Sequence, residues 1–225
     1  MSDLLNVEQN KILTTETSTL TRIVFLRTLI NIFSTIAISF LVIISRRVDY
    51  IFLGNNVGEA SVIEITQLLM LIITTVSFYR LISVASLKSA SILVFGFFTV
   101  LIIRESDGFF DQISHGFWVY PALIVTFISV TSAVYNGRVM NSLTQLLRIP
   151  SMQVLVCSTV LLIVFSRLYG MSDFWKIVMG DFYIRDVKNI SEETIELLFY
   201  CLIAFNAFKT YSSLKFKHTI YKPEF

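Results

Sequence analysis

Residues 26–45 read LRTLINIFSTIAISFLVIIS, a run whose single charge, Arg27, stands next to its start. As a helix rising 1.5 Å per residue it is about 30 Å long, the thickness of a bilayer's hydrocarbon core. No Gly or Pro interrupts it and nothing in it alternates, so neither loop nor half-buried strand fits. Five further runs follow: 58–79 (GEASVIEITQLLMLIITTVSFY), 88–103 (KSASILVFGFFTVLII), 117–135 (FWVYPALIVTFISVTSAVY), 150–168 (PSMQVLVCSTVLLIVFSRL) and 192–211 (EETIELLFYCLIAFNAFKTY). The run at 88–103 is short and can extend into the RESDGFFD that follows it, and Pro121 is expected to bend the next one.

Composition agrees with the runs. Of 225 residues 55% are hydrophobic and 15% charged, where a soluble domain carries about a quarter charged. Mean hydropathy is +0.73. The expected fold is an all-α integral membrane protein, a bundle of about six transmembrane helices with short loops and one or two interfacial amphipathic helices. Residues 1–25 form a polar N-terminal segment, 26–211 the six-span domain and 212–225 a basic tail. The opening MSDLLNVEQNKILTTETSTLTR has no apolar run after a basic start, so the first span is expected to act as its own insertion signal. Cys157 and Cys201 lie within apolar runs, where a thiol behaves as a small hydrophobe. A net charge of +2 without a basic block excludes nucleic acid as a partner.

Six spans put both termini on one side. With the termini inside, 11 of the 18 Lys and Arg residues fall on the inner side and 7 on the outer. This bias favours cytoplasmic termini in a bacterial inner membrane or its equivalent. Acidic residues show the opposite bias: only Asp3, Glu8, Glu16 and Glu224 lie inside, and the other 12 of the 16 lie outside or in the outer ends of spans. Chemistry is therefore expected on the outer face. Two segments read as interfacial: 137–149, with Val139, Leu143, Leu146 and Leu147 on one helical face, and 169–190, which mixes Phe174, Trp175, Phe182 and Tyr183 with charges.

Residues 104–115, RESDGFFDQISH, crowd charges between two apolar runs. As one helix, 104–118 would carry Arg104, Asp107, Asp111, His115 and Trp118 on one stripe, opposite Phe109, Phe110, Ile113 and Phe117. That alone describes an interfacial helix. Other carboxylates reach the same level. Glu64 is expected about six residues, or roughly 9 Å, inside its helix, and Glu196 more than a turn inside the last span. An ionised carboxylate that deep needs a partner or a wet cavity. Ser191 reads as an N-cap, with Glu192 and Glu193 on the positive end of the helix dipole. Glu59 likewise opens its helix.

Glu64, Asp107, Asp111, His115 and Glu196 are the candidate catalytic residues, with Arg104 and Arg167 placed to hold a substrate phosphate. Glu105, Asp107, Asp111, His115 and Glu192 are candidate ligands for a divalent metal; oxygen-rich ligands with one imidazole suit Mg²⁺, Ca²⁺ or Mn²⁺ better than zinc. The two histidines, His115 and His218, are too few for a three-histidine zinc site. Known catalytic spacings are absent: no HExxH, GxSxG, P-loop or GxGxxG occurs. On that ground the expected function is non-enzymatic, a subunit, sensor or channel-like component of a membrane assembly with an acidic outer cluster. Its partners would be membrane lipid and further copies or other membrane subunits. The alternative is an enzyme acting on a lipid or lipid-linked substrate from the outer side through the carboxylates and His115. The tail KFKHTIYKPEF would rest on anionic lipid.

Overall fold

The structure is a computed structural model that describes the backbone of residues 2–52 and 61–220, and side chains within 19–51 and 61–215. Glu59 and residues 221–225 lie outside the described residues, as do the side chains of the N-terminal segment before residue 19 and that of His218. Every regular element among the described residues is helical.

Helix α1 runs unbroken through Ser2–Arg47 into a π-helical turn, Val48–Phe52. The polar N-terminal segment is thus helical and continuous with the first apolar run. The chain divides into two compact units at Leu41/Val42. In the first unit, Phe25, Ile30, Phe33, Ile36 and Phe40 are all exposed, large apolar side chains on a helix long and apolar enough to cross a membrane. Its Thr28, Thr35 and Ser39 hydroxyls donate to the carbonyls of Val24, Asn31 and Thr35 at 3.0, 2.9 and 2.9 Å. Such back-bonding satisfies a hydroxyl without a second helix or water.

The second unit contains α2 (Val62–Leu81), α3 (Lys88–Glu105), α4 (Asp107–Asp111), α5 (Val119–Tyr135), α6 (Val139–Leu147), α7 (Pro150–Val160), α8 (Ser166–Tyr169), α9 (Ser172–Met179) and α10 (Arg185–Ile220). A second π turn, Leu161–Phe165, joins α7 to α8, so Pro150–Tyr169 is one continuous helix. Neighbours pack in the order α5, α3, α2, α10, α7, and α6 touches both α3 and α7. Large apolar side chains fill the seams: Leu71, Phe78, Phe98, Leu155, Leu197 and Ile203 are buried, and the Phe78 and Phe98 rings stack with centroids 6.1 Å apart. Where α3 meets α5, Gly96 lets Ser129 approach so closely that a methyl group would overlap its side chain. Small residues bring membrane-type helices together in this way.

Among the described residues four helices are long and apolar enough to cross a membrane, Thr21–Ile51, Val62–Leu81, Pro150–Tyr169 and Arg185–Lys215, or five if the bent pair α5 and α6 counts as one. The other expected spans fall short for visible reasons. Helix α3 has Lys88, Arg104 and Glu105 within its 18 residues, and α5 has 17. Pro121 sits in the first turn of α5, where its missing N–H has no helical partner to lose. The bend comes instead at Gly137 and Arg138, with φ +68° and +53°, and turns α6 by 103° from α5. Helix α6 buries Ser142 and Leu146 and exposes Met140 and Leu147. Helix α9 exposes Phe174, Ile177 and Val178, and the Trp175 indole N–H donates to the Tyr169 carbonyl at 2.7 Å. Both of the free cysteines are in helices, Cys201 buried and Cys157 exposed.

Three local expectations are corrected. Residues 104–118 are not one helix: α3 ends at Glu105, α4 is a separate short helix and 112–118 turn through Gly116 at φ +76°. Helix α10 starts at Arg185, six positions before Ser191, which is therefore no N-cap. Helix α2 starts at Val62, so Glu64 is in its first turn rather than deep within it; Ser61 is the N-cap, its Oγ accepting the Glu64 N–H at 3.1 Å. The spacing Ser61-x-x-Glu64 is that of a capping box.

Candidate functional site

Several chain reversals bring helix ends together at one end of the second unit: the starts of α2, α4 and α10 and the ends of α3 and α8. Between them lies a cavity of about 310 Å³ lined by Glu64 and Gln67 from α2, Arg104 and Glu105 from α3, Asp107 from α4, Arg167 from α8, and Lys188, Glu192, Glu193 and Glu196 from α10. Six carboxylates face three cations, and no apolar side chain is among the ten. The α10 residues gather because 188, 192 and 196 are successive steps of four along one helix face, with 193 beside them.

Hydrogen bonds fix the walls. Gln67, 1% exposed, donates its Nε2 to Glu193 Oε2 at 3.0 Å and to the Glu193 carbonyl at 3.4 Å. The Tyr200 hydroxyl, on a side chain 2% exposed, donates to Glu105 Oε1 at 2.8 Å, and Arg104 stands 3.8 Å from the same oxygen. Lys188 pairs with Glu192 at 2.5 Å. Room for Glu192 comes from Gly170: a methyl group there would overlap its carboxylate. Buried donors thus orient two of the carboxylates from behind, and a lysine and an arginine each offset one from the side. The lining still carries twice as many acids as bases.

The candidates read from the sequence divide in two. Glu64, Arg104, Glu105, Asp107, Arg167, Glu192 and Glu196 line the cavity. Asp111 and His115 lie outside it, bonded to each other at 3.0 Å, with the His115 side chain 99% exposed. Asp111 also accepts the Gly116 N–H at 2.8 Å. That arrangement closes the turn after α4. Among the described residues no three His, Cys, Asp or Glu side chains gather closely enough to hold a metal ion; of the five candidate ligands, Glu105, Asp107 and Glu192 are at the cavity and the other two are not. No Ser, Thr, Cys or His is in the lining, so it lacks the hydroxyl or thiol nucleophile with an imidazole base.

Gln67, Lys188 and Glu193 join the site without having been singled out for a role in it. Extending the 192–196 face back by one turn points to Lys188, and Glu193 is hidden only if it is assigned to a helix start that lies elsewhere. Comparison of the chain with protein-family models, with curated proteins and with solved structures gives no match.

Proposed function

We propose that this is a six-span membrane protein with cytoplasmic termini, acting as a recognition component, a subunit or sensor of a membrane assembly, whose outer cavity binds an organic cation. The observation that carries the proposal is the cavity itself: six carboxylates from four helices, held by buried donors and only half offset by cations. Carboxylates spread over several helices, with no three in metal-binding range, suit a ligand with several N–H donors better than a bare metal ion. An extended ammonium compound can reach separate carboxylates at once, each contact a charge-assisted hydrogen bond. Helices α3 and α5 complete the six spans by packing against their neighbours, the charges of α3 standing at its ends and α5 carrying none.

Titrating the full-length protein in detergent with putrescine and spermidine, by calorimetry, tests this. Saturable binding is expected, and the variant Glu193→Gln/Glu196→Gln should weaken it at least about tenfold, since each lost charged hydrogen bond contributes about 1.5–3 kcal/mol. The same variant should melt no lower than the parent, because it relieves repulsion among crowded carboxylates while the amide introduced at position 193 still offers Gln67 an acceptor oxygen. No saturable amine binding, or equal binding by parent and variant, would reject the proposal. The lipid-enzyme alternative draws support from Arg104 and Arg167 standing at the same cavity as the carboxylates; release of headgroup from phospholipid vesicles by the parent, abolished in Glu196→Gln, would favour it.

A further inference from the structure

The opposite end of the second unit has a site of the opposite charge. Lys88 and Glu105 bound the same helix, α3, so the two ends are about 25 Å apart at 1.5 Å per residue. There a cavity of about 720 Å³ is lined by Lys88, Arg138, Asn136, Asn141 and Gln145 together with small residues, and by no carboxylate. Neither Lys88 nor Arg138 forms a salt bridge with a described residue. Two cations facing one hollow without a counter-charge are unusual in a chain whose other end pairs Arg104 and Lys188 with acids.

The walls are tied together. Ser89 Oγ donates to the Gly137 carbonyl at 2.7 Å, and the Ala90 N–H donates to Ser142 Oγ at 3.1 Å. These bonds fasten the start of α3 to the bend between α5 and α6, and both Ser89 and Ser142 are buried. Arg138 takes its position through a left-handed backbone, φ +53°, which turns the chain into α6. The start of α6 and the start of α3 both open on this hollow, adding partial positive charge to the two side chains. Amide groups of Asn136, Asn141 and Gln145 supply further N–H donors. Beside it α6 exposes Met140, at 75%, the apolar edge that a lipid-contacting helix shows.

We infer that this hollow binds a phosphate group, carried by an anionic lipid headgroup or free in solution, through Lys88 and Arg138. It is independent of the amine cavity and stands or falls separately.

The test uses the full-length protein in two arms. In one, nanodiscs containing phosphatidylcholine and phosphatidylglycerol are prepared and the lipid retained on the released protein is counted by native mass spectrometry; in the other, inorganic phosphate is titrated by calorimetry. Lys88→Gln/Arg138→Asn is the key variant, Asn being chosen because it tolerates the left-handed backbone. Each charge removed should weaken binding about fivefold. Retention of phosphatidylglycerol that the variant loses identifies a lipid headgroup as the source. Saturable phosphate binding lost in the variant, without lipid enrichment, identifies free phosphate. Lys88→Arg/Arg138→Lys keeps both charges and should keep the binding, which separates loss of charge from loss of fold. Arg148→Gln, an exposed cation just beyond α6 and outside the hollow, should leave it unchanged. Equal behaviour of parent and key variant in both arms overturns the inference, as does an equal loss in Arg148→Gln.

Discussion

Asp49→Ala is expected to destabilise the protein by about 2–4 kcal/mol, the cost of stripping a charged acceptor from two N–H groups at a helix start. Asp49 is 1% exposed, and its two carboxylate oxygens accept the Val62 and Ile63 N–H groups at 2.7 and 3.0 Å. With Ser61 on the Glu64 N–H, two side chains satisfy three of the four N–H groups that a helix start leaves without a partner. The carboxylate also meets the positive end of the α2 dipole. Asp49→Asn retains one good acceptor and should cost less, and Ser61→Ala should cost about 1 kcal/mol, as an ordinary N-cap loss does. Thermal unfolding of the three variants in one detergent checks the order. Asp49→Ala no worse than Ser61→Ala would mean that the carboxylate does not hold the helix. Because α2 carries Glu64 and Gln67, amine binding should fall with it.

Gly96→Leu is expected to leave no monodisperse folded protein. Its side chain would occupy the place of Ser129, where even one methyl group overlaps, and α3 would be driven off α5. Overpacking by a few methylenes costs about 1–3 kcal/mol in a core that can adjust; two rigid helices in contact can adjust little. Gly96→Ala provides the finer measurement. Within a helix Ala is favoured over Gly by about 1 kcal/mol, so any loss of stability reports the collision. Ser129→Gly removes the colliding atoms, and the pair Gly96→Ala/Ser129→Gly should recover stability relative to Gly96→Ala alone. Simple addition of the two single effects would show that the residues do not meet.

The apolar runs were legible because length and hydropathy are properties of the local chain, and each run coincides with helix over most of the length that the structure describes. Helix ends were less so. Ser191 and Glu192 look like a helix start, yet α10 begins at Arg185 because polar residues can continue a helix that packing already supports. Glu192 and Glu196, four apart on one helix, pointed to the cavity because the helical repeat puts them on one face. Asp49 could not be found that way. Its partners are thirteen and fourteen residues downstream, across a connection whose path no periodicity encodes. Gln67 became a wall of the site only through Glu193, 126 residues away. Asp111 and His115 show the converse: four apart, they satisfy each other locally, which the stripe assigned to a single longer helix concealed.

The π turn at Leu161–Phe165 gives the continuous helix Pro150–Tyr169, which carries Arg167 near its end, a spare residue. In an ordinary α-helix, losing one residue rotates everything beyond it by about 100° and would swing Arg167 away from the cavity. A π turn is an insertion already absorbed, one residue bulged out while the helix on either side keeps its facing. Loss of a single residue between 161 and 165 would therefore relax the bulge into regular helix and leave Arg167 where it is. Length variation that would ruin an ordinary stretch of helix is tolerable there, and relatives of the protein should differ in length at this turn before they differ within the regular helix on either side of it.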